Sequence, residues 1–158
     1  MNDNAVMLRN LEVKDIASVA EFVAATPLWQ RYGVTANSFA NRLTSGLNSG
    51  ARIIIAERDS EILGFVWVAE KGAFARDLYI PLIGVHPTKR SHGVGALLLQ
   101  HVENKMFDSP RDVFLLVSDF NEGAKHFYQK NGYAEVGRLP NYVLEGVSEL
   151  IYWKKAKL

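Results

Sequence analysis

The sequence predicts an α/β chain, of the α+β kind, with a mixed sheet. Three stretches carry that prediction. The run Asp112–Ser118 (DVFLLVS) is almost unbroken in apolar residues, as a strand buried on both faces is. Val94, Leu97, Leu98, Val102 and Met106 recur at helical spacing along one face. Ala51–Glu57 and Ile62–Glu70 are rich in β-branched residues and flank a polar turn, Arg58–Glu61, as the two arms of a hairpin do.

The remaining elements follow in chain order. Val6–Asn10 reads as a short strand. Asp15 is placed to cap a helix bearing Ile16, Val19, Phe22 and Val23, and Thr26-Pro27 should end it, because a residue before proline avoids helical geometry. Leu28–Gly33, with Trp29 and Tyr32, reads as a loop. Thr35 opens a second helix through Phe39, Leu43 and Leu47, which stops near Gly46–Gly50. Lys71–Asp77 is a loop and Leu78–Val85 the next strand. Within it Pro81 cannot donate a ladder hydrogen bond, and Gly84 marks a bulge or a close backbone approach. Either a ligand inserts at this stretch or the irregularity is an ordinary one. Asn121–Lys130 is a helix closed by Asn131-Gly132. Tyr133–Arg138 and Tyr142–Lys154 form two last strands, followed by a basic tail of Lys154, Lys155 and Lys157.

A length of 158 residues suits one compact domain spanning 1–158. No apolar run is long enough to span a membrane, and the N-terminus lacks the basic-then-apolar order of a secretory signal, so a cytoplasmic setting is expected. A net charge of +1 provides no global field that would demand nucleic acid or anionic lipid. Cysteine is absent, which excludes disulfides, thiolate metal sites and a cysteine nucleophile. His86, His92, His101 and His126 show no metal-ligand spacing, so no metal is expected.

Chemistry concentrates just before the central helix, at Arg90, Gly93 and Gly95. A helix start carries unpaired N–H groups and partial positive charge, and glycine lets a ligand approach that backbone. The arrangement suits a phosphate or pyrophosphate. It lacks the Gly-Lys-Ser/Thr ending of a P-loop, and Leu98 stands where a dinucleotide fingerprint has its third glycine. Arg90-Ser91-His92-Gly93-Val94-Gly95 resembles instead the Arg/Gln-x-x-Gly-x-Gly/Ala signature of the GNAT acetyltransferases. A second stretch, FLLVSDFNEGAKHFYQKNG over 114–132, is similar to that family's Asn-x-x-Ala-x-x-Phe-Tyr-x-Lys-x-Gly segment, and the order of elements matches as well.

The resemblance implies the GNAT fold: about seven strands in a mostly antiparallel sheet splayed at its centre, with four flanking helices. It implies transfer of an acetyl group from acetyl-CoA, as co-substrate, to a primary amine. It assigns backbone contacts along the pantetheine arm to Ile83, Gly84 and Val85, with an N–H near Val85 for the developing oxyanion. It assigns the pyrophosphate to Arg90, Ser91, His92, Gly93, Val94, Gly95 and Ala96, and a contact to the cofactor arm to Asn121. Tyr128 matches the tyrosine that protonates the leaving thiolate and is the expected catalytic residue; a phenol of pKa ~10 is a sensible donor to a thiolate. The strand before the loop lacks the carboxylate that many relatives carry there, so the base is open among Glu145, Glu149, Asp119, Tyr79 and a water chain. Trp29, Tyr32, Tyr142 and Glu145 are candidates for the acceptor cleft. The expected partner is a small-molecule or peptide amine, with no nucleic acid and no membrane. An edge near the last strand offers a pairing surface for a homodimer. A non-catalytic acyl-CoA-binding domain of the same fold is the alternative reading.

Overall fold

A computed structural model of the chain describes residues 5–90 and 92–158. Its elements are β1 (Met7–Asn10), α1 (Ile16–Ala24), α2 (Pro27–Arg31), α3 (Ala36–Asn48), β2 (Arg52–Arg58), β3 (Glu61–Ala73), β4 (Asp77–Val85), α4 (Val94–Asn104), β5 (Val113–Ser118), α5 (Glu122–Lys130), β6 (Ala134–Pro140) and β7 (Ser148–Lys154). The strands hydrogen-bond in the order β1-β2-β3-β4-β5-β7-β6. β4 and β5 run parallel, while β1–β2, β2–β3, β5–β7 and β6–β7 are antiparallel. The chain divides into two compact units: residues through Val68 with Leu82–Gln100, and Ala69–Pro81 with His101–Leu158.

In the first unit α1 and α3 pack together over β2 and β3. Phe22 and Phe39 set their rings 5.8 and 5.9 Å from that of Phe65, among Val19, Val23, Leu43, Ile53 and Ile55. Ile53–Ala56 of β2 are all buried, so this strand is covered on both faces. Asp59 and Ser60 join β2 to β3 with φ of 51° and 64°, the left-handed pair a two-residue hairpin turn needs. Thr35 caps α3 as expected, its hydroxyl accepting from Ser38 N at 3.1 Å. Asp15 does not cap α1. It makes no side-chain cap bond to that helix; its carboxylate instead accepts from Glu12 N at 2.8 Å and from Arg9 at 2.8 and 2.9 Å. Leu28–Gly33 is also more ordered than expected, because Pro27 both ends α1 and starts α2 at its first position, where a missing N–H costs nothing.

In the second unit β7 lies between β5 and β6. The register runs from Val113↔Lys154 to Ser118↔Glu149. Val113, Leu115 and Val117 therefore share a face with Lys154, Tyr152 and Leu150, and Phe114, Leu116 and Ser118 share the other with Trp153, Ile151 and Glu149. Helix α5 covers the first of these faces, with the Tyr128 ring 6.2 Å from that of Tyr152. The parallel ladder joins Leu78–Ile80 to Val113–Leu115 and stops at Pro81, which has no N–H to extend it. The last strand begins at Ser148 rather than Tyr142. Residues 141–147 form a loop closed by Asn141, whose side chain accepts from Gly146 N at 2.7 Å and whose φ is 55°.

Candidate active site

The candidate cofactor loop belongs to the first unit. His86 caps a short turn at Pro87–Lys89, with its Nδ1 2.9 Å from the Thr88 hydroxyl and 3.3 Å from Thr88 N. The turn thus engages the Nδ1 side of the His86 ring. Lys89 is held by Glu61 at 3.4 Å. Arg90 follows in extended conformation, exposed, with no ion pair among the described residues. Ser91 lies outside the described residues. His92 and Gly93 are exposed; Gly93 has φ of 76°, and a Cβ there would meet nothing within 4 Å. The glycine thus serves a backbone turn, and its surroundings are open. Val94 and Gly95 are buried and Ala96 half-buried as α4 begins. The N-terminal turn of α4 starts directly behind an uncrowded loop, which is the geometry an anion needs.

Ile83, Gly84 and Val85 form the end of β4. Gly84 is glycine for a packing reason: a Cβ would lie 2.5 Å from the Trp29 ring and 2.9 Å from that of Phe65. Gly64 is crowded by backbone instead, its Cβ falling 2.7 Å from the Gly84 carbonyl. Trp29 therefore sits on the candidate arm-binding strand and packs against the core of this unit. Tyr32 ends α2, half-buried. A pocket of ≈ 740 Å³ in this unit lies between α1, the β2–β3 turn and His86. Its arginine, Arg9, is bound to Asp15 and Glu57.

The second unit holds the candidate acid. Asn121 caps α5, its Oδ1 accepting from Ala124 N at 3.1 Å. Seven residues on, the buried Tyr128 ring meets Phe127 at 5.1 Å and Tyr133 at 5.7 Å. The tyrosine is thus a core residue by its ring. Burial pushes its phenol up, which keeps it protonated. Its hydroxyl makes no hydrogen bond among the described residues. The neighbouring Tyr133 hydroxyl, by contrast, donates to Glu103 at 3.0 Å, and Glu103 also binds Lys154 at 2.7 Å. The Tyr152 hydroxyl is buried without a partner among the described residues.

The base candidates separate sharply. Glu145, with Tyr142, lies exposed in the 141–147 loop instead of on a strand. Asp119 is a brace: its carboxylate accepts from Ser148 N at 3.0 Å. Tyr79 is half-buried in β4. Glu149 is buried in β7, 5% exposed, and the Ser118 hydroxyl lies 3.5 Å from its carboxylate. The sequence offers Glu149 as one base candidate among several without marking it as buried. The signal was the register, since a strand starting at Ser148 puts Glu149 opposite the buried end of β5. Among the described residues no three His, Asp or Glu side chains gather in a metal-binding group.

The acetyltransferase (GNAT) family profile matches residues 12–133. Solved structures share the fold. A GNAT-family acetyltransferase from Bacillus cereus ATCC 10987 is 22% identical, with TM-score 0.76 over 98% of this chain and 99% of its own. An N-acetyltransferase from Staphylococcus aureus Mu50 is 18% identical, with TM-score 0.74 over 97% and 99%. An aminoglycoside 6'-N-acetyltransferase complexed with coenzyme A is 15% identical, with TM-score 0.76 over 94% and 96%. No curated protein matches the sequence.

Proposed function

The chain belongs to the acetyltransferase (GNAT) family, and from that premise we propose that it transfers the acetyl group of acetyl-CoA to a primary amine by direct attack. The observation that carries the reading is the open loop before α4: Arg90 without an ion pair among the described residues, then Gly93 with vacant space around it. A structure of the same fold is described in complex with coenzyme A, which supports acyl-CoA as the donor. The loop from Arg90 to Ala96 binds the pyrophosphate through backbone N–H groups and the guanidinium. Ile83–Val85 hold the pantetheine arm, and the Val85 N–H stabilises the oxyanion. Asn121 adds a contact to the arm while capping α5. Tyr128 gives its proton to the departing sulfur. Trp29, Tyr32, Tyr142 and Glu145 remain the acceptor candidates.

The acceptor is an amine, and the setting we propose is cytoplasmic; no described helix is long and apolar enough to cross a membrane. If two copies associate by strand pairing near the last strand, the edge there is β6, whose irregularity between Glu135 and Gly137 and terminal Pro140 weaken it for that purpose. One observation favours a second reading, acyl-CoA binding without turnover: β4 carries no carboxylate beyond Asp77 at its start. Incubation with acetyl-CoA and a panel of primary amines, with thiol release followed, separates the two. Release dependent on an amine supports transfer. Acetyl-CoA binding with no release across the panel supports the second reading.

A further inference from the structure

The apolar run of β5 has the pattern of a strand covered on both faces, yet only one face is fully buried. Val113, Leu115 and Val117 are buried, whereas Phe114 and Leu116 between them stay partly exposed. β7 alternates in the same way: Leu150 and Tyr152 are buried, Ile151 and Trp153 partly exposed. The ladder sets Phe114 opposite Trp153 and Leu116 opposite Ile151, so these four form one apolar face, with α5 on the other side of the strands. An aromatic residue stands at one end of this face. Arg76 N donates to Ala73 O at 3.1 Å, which makes Phe74 and Ala75 the central pair of the turn between β3 and β4, each with φ of 54°. Asparagine and glycine suit such a left-handed pair; a phenylalanine is strained there. The Phe74 ring meets Phe114 edge-on at 5.3 Å, and the residue is still 82% exposed. Backbone strain that presents an apolar ring to water points to something that binds it.

At the opposite end of the same strands, β6 and β7 finish at Pro140 and Ser148, beside Ser118 of β5. The 141–147 loop lies there, with Tyr142, Val143 and Glu145 exposed. The turn end carries a cation, Arg76, exposed and 3.6 Å from Asp77. The loop end carries an anion, Glu145, with no ion pair among the described residues. We propose that this face binds a second copy of the chain, the two sheets stacked about a twofold axis that runs across the strands. Such an axis sets the Phe74 turn of each copy against the 141–147 loop of the other. Apolar then meets apolar and Arg76 meets Glu145, once at each end. Identical sheets share their twist and stack about 10 Å apart. Four strands of about six residues present roughly 400 Å². The turn and the loop extend that towards the ~800 Å² per partner of a stable interface. The β6 edge, irregular and ending in Pro140, is the poorer surface for association. Tyr142 and Glu145, also acceptor candidates, are interface residues as well in this arrangement.

Sedimentation of the chain over a range of concentrations tests the proposal. Wild type should approach twice 17.7 kDa at tens of micromolar. Phe74→Asn puts a residue suited to the turn at that position, so the fold, checked by circular dichroism, should be kept. The dimer dissociation constant should nevertheless rise by about tenfold or more, as expected for loss of an aromatic anchor. Arg76→Glu and Glu145→Arg should each weaken the dimer, and the double variant should recover most of the loss. These two residues lie at opposite ends of one copy, so recovery reports a contact between copies. A wild-type monomer at every concentration, or a dimer that Phe74→Asn leaves intact, would overturn the proposal and leave the face to another occupant. A double variant as weak as both single changes combined would overturn the twofold arrangement.

Discussion

At the scale of single residues, Tyr128 and Tyr152 belong to one cluster, their rings 6.2 Å apart. Tyr128 has a buried ring and a hydroxyl without a partner among the described residues. Tyr128→Phe keeps the ring packing, so stability and acetyl-CoA binding should hardly change while kcat falls by about 10²-fold. Thiol release beside a thermal melt checks both halves. The Tyr152 hydroxyl is buried and unsatisfied among the described residues. An unmade buried hydrogen bond costs about 1–3 kcal/mol, so Tyr152→Phe should be neutral or stabilising in urea unfolding. Gly84 shows how sequence can mislead: the residue signals a close approach, but the approaching group is the Trp29 ring. Gly84→Ala should destabilise by about 1–3 kcal/mol through overpacking, and replacing Trp29 with leucine in that background should recover part of the loss.

At the scale of elements, β1 and the start of α1 are tied by Arg9, Asp15 and Glu57. The Arg9 guanidinium holds the Asp15 carboxyl below its ordinary value, burial opposing in part. A depressed carboxyl contributes stability fully present above its unfolded pKa, near ~3.9, and lost as pH falls through the folded value. Unfolding free energy should therefore drop below about pH 4, and Asp15→Asn, destabilising by about 3 kcal/mol at neutral pH, should flatten that decline. Long periodic stretches such as α4 and β5 were legible in sequence because their apolar spacing is local information. The helix starts at Thr35 and Asn121 were legible for the same reason, and both residues cap the helices they open. Asp15 was not, since Arg9 and Glu57 reach it from elsewhere in the chain. Nor was Glu149, whose burial depends on a ladder with β5, thirty-one residues earlier at Ser118.

At the scale of the whole molecule, the family and the mixed sheet could be read from two motifs and an element order, and both are found. The acceptor was not legible. Its candidates are spread over α2 and the 141–147 loop, and neither carries a charge pattern that selects one amine. The central claim is that the loop from Arg90 to Gly95 holds an acyl-CoA that an amine then attacks. The most direct measurement is calorimetric titration of acetyl-CoA into the wild-type protein and into Arg90→Ala and Gly93→Val, with desulfo-acetyl or dephospho analogues as controls. Binding to wild type should raise the melting temperature, by mass action worth about 2.7 kcal/mol at a hundredfold excess over Kd, and both variants should weaken it at least tenfold. Affinity left intact by both substitutions, or no binding by the wild-type chain, would contradict the account.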